Sequence, residues 1–99
     1  MSRLTPQQCR AARGLLDWPQ ARLGAKSNVS EGTVRDFEKG KRVPAADKLV
    51  AILSALELAG VAFLDETAHG GPGVRLRRST TSRTRVRDGE AGIIESSEM

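Results

Sequence analysis

Gln20-Ala-Arg-Leu-Gly-Ala-Lys-Ser-Asn-Val-Ser-Glu-Gly-Thr-Val-Arg-Asp-Phe-Glu-Lys39 is the stretch on which the reading of this 99-residue chain turns. Its spacing predicts two short helices joined by a tight turn. Leu23 falls on the first helix, Asn28-Val29 makes the turn, and Val34 and Phe37, three apart, mark the inner face of the second. Such a turn needs a residue at positive φ, and Asn tolerates that better than any side chain except Gly. Ser30 is placed to cap the second helix by accepting a hydrogen bond from an otherwise orphan backbone N–H.

Two helices in that relation form a helix-turn-helix, whose second helix is able to lie in a DNA major groove. The residues resemble the Cro/C1-type (XRE-like) regulators, whose pattern Q-x-x-L-A-x-x-x-G-V-S-x-x-T-V/I-x-x-F/L-E-x-G-x-x-x-P is met at Gln20, Leu23, Val29, Ser30, Thr33, Val34, Phe37, Glu38, Gly40 and Pro44. The resemblance covers roughly residues 5 to 60. Three departures weaken the first helix of the pair without changing the fold: Pro19 stands at the usual Ser or Asn cap, Gly24 at the usual Ala, and Asn28 at the usual Gly. The resemblance implies a mainly α, lambda-repressor-like domain of four helices over residues 1–60.

Outward toward the N-terminus, Thr5-Pro6-Gln7-Gln8 is a helix start with a capping Thr, a Pro in the first turn and a Gln to close the capping box. This helix is expected to run to Leu16 with Cys9, Ala12, Leu15 and Leu16 as its apolar stripe. Asp17-Trp18-Pro19 breaks it, and Trp18 reads as a packing residue rather than a binding one. After the central pair come a Gly40 C-cap, a basic loop Lys41-Arg42-Val43-Pro44, and a fourth helix from about Ala45 to Ala59. On that helix Leu49, Ile52, Leu53 and Leu56 form an inward stripe.

Beyond Gly60 the period changes. Val61–Leu64 and Val74–Arg77 read as two strands of an antiparallel hairpin, residues 61–78, around a Gly-rich loop. A lone hairpin is marginal in water and leaves an open edge, so its edge or its Val/Phe face is expected to help form a homodimer. Residues 79–99, rich in Ser, Thr, Arg, Glu and Gly, read as a disordered tail with Ile93-Ile94 its main apolar feature.

The formal net charge is +4, which favours a polyanionic partner. Residues 1–64 hold ten Lys/Arg against six Asp/Glu, whereas residues 65–99 hold six of each. One Cys and one His exclude an internal disulfide and a credible zinc site, no cofactor loop is present, and Gly70-Gly71-Pro72-Gly73 is a turn rather than a phosphate loop. Cys9 reads as a buried thiol and His69 as a solvent-facing side chain. No apolar run is long enough for a bilayer, and no secretory signal opens the chain. A cytoplasmic, non-enzymatic protein is the expectation.

Candidate DNA contacts follow from the start and outer face of the third helix: Ser30, Glu31, Gly32, Thr33, Arg35, Asp36 and Lys39. Arg35 suits a guanine or a phosphate, Thr33 a phosphate or a thymine methyl, and the two acids suit DNA poorly except through cytosine. Lys41 and Arg42 suit phosphates in the loop, with plain surface solubility as the alternative. The resemblance implies that Gln20 helps clamp a phosphate, with helix capping as its bland alternative. It also implies that Arg13 and Glu38 form a structural ion pair. The Arg-rich run Arg75, Arg77, Arg78, Arg83, Arg85 and Arg87 is either a second phosphate contact or a solubilising segment. The function expected is a transcriptional regulator, a repressor acting as a homodimer on a palindromic double-stranded operator. The rival is a protein-interaction module, such as an antitoxin, on the same scaffold, favoured by Glu31 and Asp36.

Overall fold

The computed structural model describes residues 4–77. The tail expected over residues 79–99, and every Arg of the basic run beyond Arg77, lie outside them. Four helices, α1 (Pro6–Leu16), α2 (Gln20–Ser27), α3 (Glu31–Glu38) and α4 (Ala46–Leu58), precede two strands, β1 (Val61–Leu64) and β2 (Gly73–Leu76). The strands pair antiparallel with Val61 opposite Leu76 and Phe63 opposite Val74. The order and type of the elements match the sequence reading, and their ends agree with it to within one residue.

Local chemistry explains where the helices begin and end. Thr5 and Gln8 form a reciprocal capping box at the start of α1, with Pro6 in its first turn. The Ser30 hydroxyl accepts from the Thr33 backbone N–H at 3.1 Å and opens α3. Pro19 gives α2 no side-chain cap. Three helices stop in one manner. Asp17 (φ 56°), Asn28 (φ 59°) and Gly40 (φ 77°) adopt the left-handed conformation. The N–H of the next residue then reaches back: Trp18 to the Arg13 carbonyl at 3.0 Å, Val29 to Gly24 at 2.9 Å, Lys41 to Asp36 at 2.8 Å. These bonds satisfy carbonyls that a helix end leaves open.

The close turn between α2 and α3 explains Gly24. A Cβ there would lie 2.7 Å from the Val29 carbonyl oxygen. Helix and turn approach more closely than an ordinary side chain allows, so this glycine serves packing.

The core gathers Leu4, Cys9, Ala12, Leu23, Val29, Val34, Phe37, Ile52, Ala55, Leu56 and Val61. One expectation is corrected. Leu15 is exposed and leaves the α1 stripe, whose inward positions are Gln8, Cys9 and Ala12. The Val/Phe face of the hairpin is used by its own domain: Val61 is fully buried, and Phe63 and Val74 pack on the core. Phe63 and Val74 stay half-buried on that face. The hairpin rests on α1 and α4. Gln8 ties it down, its Nε2 donating to the carbonyls of Leu64 at 3.3 Å and Gly73 at 3.0 Å. The exposed large apolar residues instead include Val50 (60% exposed) and Leu58 (85%) on α4. Leu58 borders a groove of about 340 Å³ lined also by Trp18, Lys26, Ala55 and Ala59.

Candidate nucleic-acid interface

α3 packs against α2 and α1, whereas the hairpin packs against α1 and α4. Val34 and Phe37 face the core, so the opposite side of α3 looks outward. Glu31, Arg35 and Lys39 are exposed there, and Gly32 and Asp36 are half-buried. The Arg35 guanidinium leans over Gly32, where a Cβ would meet it at 3.3 Å, and its Nε lies 3.6 Å from the Asp36 carboxylate. The acid expected to be uncomfortable near a polyanion thus sits beside a cation on the same helix. Lys41 and Arg42 are exposed in the loop that follows.

Two predicted contact residues are placed otherwise. Thr33 is buried, at 8% exposure. Its Oγ1 lies 2.8 Å from Ser30 Oγ and accepts from Arg42 Nη2 at 2.6 Å. The Thr33 side chain is thus turned toward Ser30 and the loop, with both acceptor sites of its hydroxyl occupied. Gln20 points inward: its Nε2 donates to Glu38 Oε1 at 3.0 Å. One amide donor is thereby engaged with Glu38, and Gln20 gives α2 no side-chain cap.

Glu38 is the centre of the buried polar structure, at 2% exposure. Arg13 grips it with both arms of the guanidinium, Nη2 to Oε1 at 2.6 Å and Nε to Oε2 at 2.7 Å. Arg13 Nη1 also donates to the Trp18 carbonyl at 3.0 Å, and Cys9 Sγ donates to Glu38 Oε2 at 3.1 Å. Arg10 donates to the Glu38 carbonyl. One carboxylate thereby joins α1, α2 and α3 and fixes the angle at which α3 is presented. Burial on its own would raise the Glu38 pKa, but the hydrogen bonds from Arg13, Gln20 and Cys9, with the Arg13 charge, outweigh it and hold the carboxyl below its ordinary range. The Arg13 pKa is raised, chiefly by its bond to Glu38. Burial, then the adjoining carboxylate, push the Cys9 thiol far up, so it stays protonated.

Sequence reasoning missed Gln8 as the hairpin anchor and Cys9 and Gln20 as partners of Glu38. Gln8 meets the hairpin across 56 and 65 residues of chain, a separation no local pattern encodes. Among the described residues no group of His, Cys, Asp and Glu is arranged to hold a metal, and no helix is long and apolar enough to cross a membrane.

A capped helix held against its predecessor by a left-handed turn, with a polar face open and a basic loop behind it, defines a helix-turn-helix DNA-binding domain. The helix-turn-helix family model matches residues 10–61, about half of the chain, and the protein belongs to that Cro/C1-type, XRE-like family of DNA-binding regulators. No curated protein matches the chain.

Proposed function

We propose that the protein is a cytoplasmic, sequence-specific transcriptional regulator that binds double-stranded DNA as a homodimer and represses by occluding a promoter. The observation that carries this reading is the uncovered outer face of α3, with exposed Arg35 and Lys39 on it and Lys41 and Arg42 behind it. Arg35 is the side chain best suited to a base edge or a flanking phosphate. Lys39, Lys41 and Arg42 supply sequence-independent attraction. Ser30, Glu31 and Gly32 shape the N-terminal end of the helix that enters the groove, Asp36 flanks Arg35 further along it, and Gln20 and Thr33 act through other residues. Two α3 helices about one DNA turn apart, roughly 34 Å, read an inverted repeat.

The dimer reading draws support from α4. Leu58 stands out beside a groove that it helps to line, so projection and recess share one face. A twofold contact uses the same patch on both subunits. That apolar face also favours the second reading, a module that binds another protein through α4.

Selection from random duplex DNA, followed by affinity measured against salt, tests the proposal. A regulator returns an inverted repeat and weakens as salt rises. Arg35→Ala costs about 1–3 kcal/mol if it reads a base, and relaxes that position. Leu58→Glu converts the dimer to a monomer in sedimentation. A protein that enriches no sequence and stays monomeric refutes the reading.

A further inference from the structure

We propose that Thr33 is a positioning residue and Arg42 a preordered phosphate clamp: the buried Thr33 hydroxyl holds the Arg42 guanidinium beside the N-terminal turn of α3, ready for a phosphodiester oxygen of duplex DNA. This rests on the DNA-binding reading above and assigns a division of labour within it.

The geometry carries the inference. Thr33 Oγ1 accepts from Arg42 Nη2 at 2.6 Å, across nine positions of chain. The same oxygen lies 2.8 Å from Ser30 Oγ, and Ser30 Oγ accepts from the Thr33 N–H at 3.1 Å. The helix cap, the hydroxyl and the arginine thus form one hydrogen-bonded chain. Its inner members are fixed by the helix start, and its outer member is exposed. A guanidinium has five N–H donors in a planar fork, and one is spent on Thr33. Arg42 makes no ion pair among the described residues. Its remaining donors are available to an anion.

The location suits a phosphate better than a base. The N-terminal end of a recognition helix enters the groove, and the sugar-phosphate strand runs past its flank. A donor held beside the first turn, from a loop behind the helix, meets that strand. Holding it in advance matters because a free arginine must surrender its rotamer freedom on binding, whereas a restrained one has already done so. The side chain of Thr33, at a position that the motif alone would assign to DNA, works one step removed.

The test combines Thr33→Val, Thr33→Ser, Arg42→Ala and the double variant Thr33→Val/Arg42→Ala, each titrated against the selected duplex across a salt series. Arg42→Ala is expected to weaken binding uniformly across sequences and to reduce the salt slope by about 0.9, one phosphate contact. Thr33→Val is expected to weaken binding by about two- to tenfold, the range for freeing one long side chain, and to add nothing once Arg42 is absent. Thr33→Ser restores the wild-type affinity. Equal losses from Thr33→Val with and without Arg42 overturn the positioning role. An unchanged salt slope in Arg42→Ala overturns the phosphate contact. Should Thr33→Val fail to fold, the free wild-type protein supplies an independent reading: the Arg42 side-chain nitrogen signals show restricted rotation while those of Arg35 average, and averaged Arg42 signals overturn the clamp. A wild-type protein that shows this restriction but binds no duplex refutes the regulator reading and, with it, the phosphate role alone.

Discussion

Replacing Arg13 by Met should do more harm than replacing both Arg13 and Glu38, and should reverse how stability depends on pH. The Glu38 side chain is 1% exposed and the Arg13 side chain 19%. Arg13→Met therefore leaves a carboxylate buried with only Gln20 and Cys9 as side-chain donors, which costs about 3–5 kcal/mol. Glu38→Gln leaves a partly exposed cation that keeps its bond to the Trp18 carbonyl, and costs about 1–3 kcal/mol. The double variant Arg13→Met/Glu38→Gln buries no charge and is expected to lose less than Arg13→Met alone, with a coupling of at least about 1 kcal/mol. A domain of this size holds only about 5–10 kcal/mol in total, so the differences are measurable by urea unfolding at pH 7. In the wild type the Glu38 pKa lies below its unfolded value of about 4.3. Its contribution is then fully present above that value and is lost as pH falls through the folded pKa. In Arg13→Met the strongest lowering bond and the Arg13 charge are gone, while burial, the first of the causes, remains against only the Gln20 and Cys9 bonds, which is expected to raise the pKa above the unfolded value. That variant should gain stability as pH falls from 7 toward 5, where the wild type gains none from this group. Zero coupling in the cycle, or parallel pH profiles for the two proteins, would refute the account of Glu38 as a carboxylate held by Arg13.

Gln8→Glu keeps an acceptor for the Thr5 N–H but removes both donors to the hairpin, so amide exchange at β1 and β2 should accelerate while α1 stays protected; uniform acceleration would show that the anchor is not Gln8. Gly14, where a Cβ would meet nothing within 4 Å, should gain about 0.5–1 kcal/mol as Gly14→Ala. Gly24→Ala should fail to show that gain and Gly24→Val should lose stability, because the Val29 carbonyl occupies the space; equal rises in melting temperature at both sites would contradict the close approach. Val50→Lys combined with Leu58→Lys should leave thermal stability within about 0.5 kcal/mol at protein concentrations too low for a dimer, as for exposed positions generally, and a large loss there would mean that the α4 face is part of the monomer's own packing.

The helices were legible because their signals are local. A capping box, Ser30, Asn28 and Gly40 each act within one turn of chain, and each stands in the structure where the sequence puts it. Asp17 escaped notice as a left-handed residue because Asp-Trp-Pro already explained the break in other terms. The site was legible in outline, since periodicity separates the inner Val34 and Phe37 from the outer Arg35 and Lys39. Individual hydroxyls and amides were not. Thr33 and Gln20 carry groups that suit DNA and protein equally, and only the position of Arg42 and Glu38 in space decides between them. Leu15 misled because helical spacing marks a face without saying how wide the covered part of it is. The hairpin was recognisable by its alternation, but which of its faces the domain keeps for itself depends on contacts with α1 and α4.

The lone sulfhydryl on α1 has a practical consequence. Cys9 is completely enclosed and engaged with an acidic neighbour, so an alkylating reagent reaches it only when the first and third helices part. The labelling rate of the unmodified protein is therefore a built-in clock for that opening, requiring no introduced reporter. Whatever grips the outer surface of the third helix should slow it.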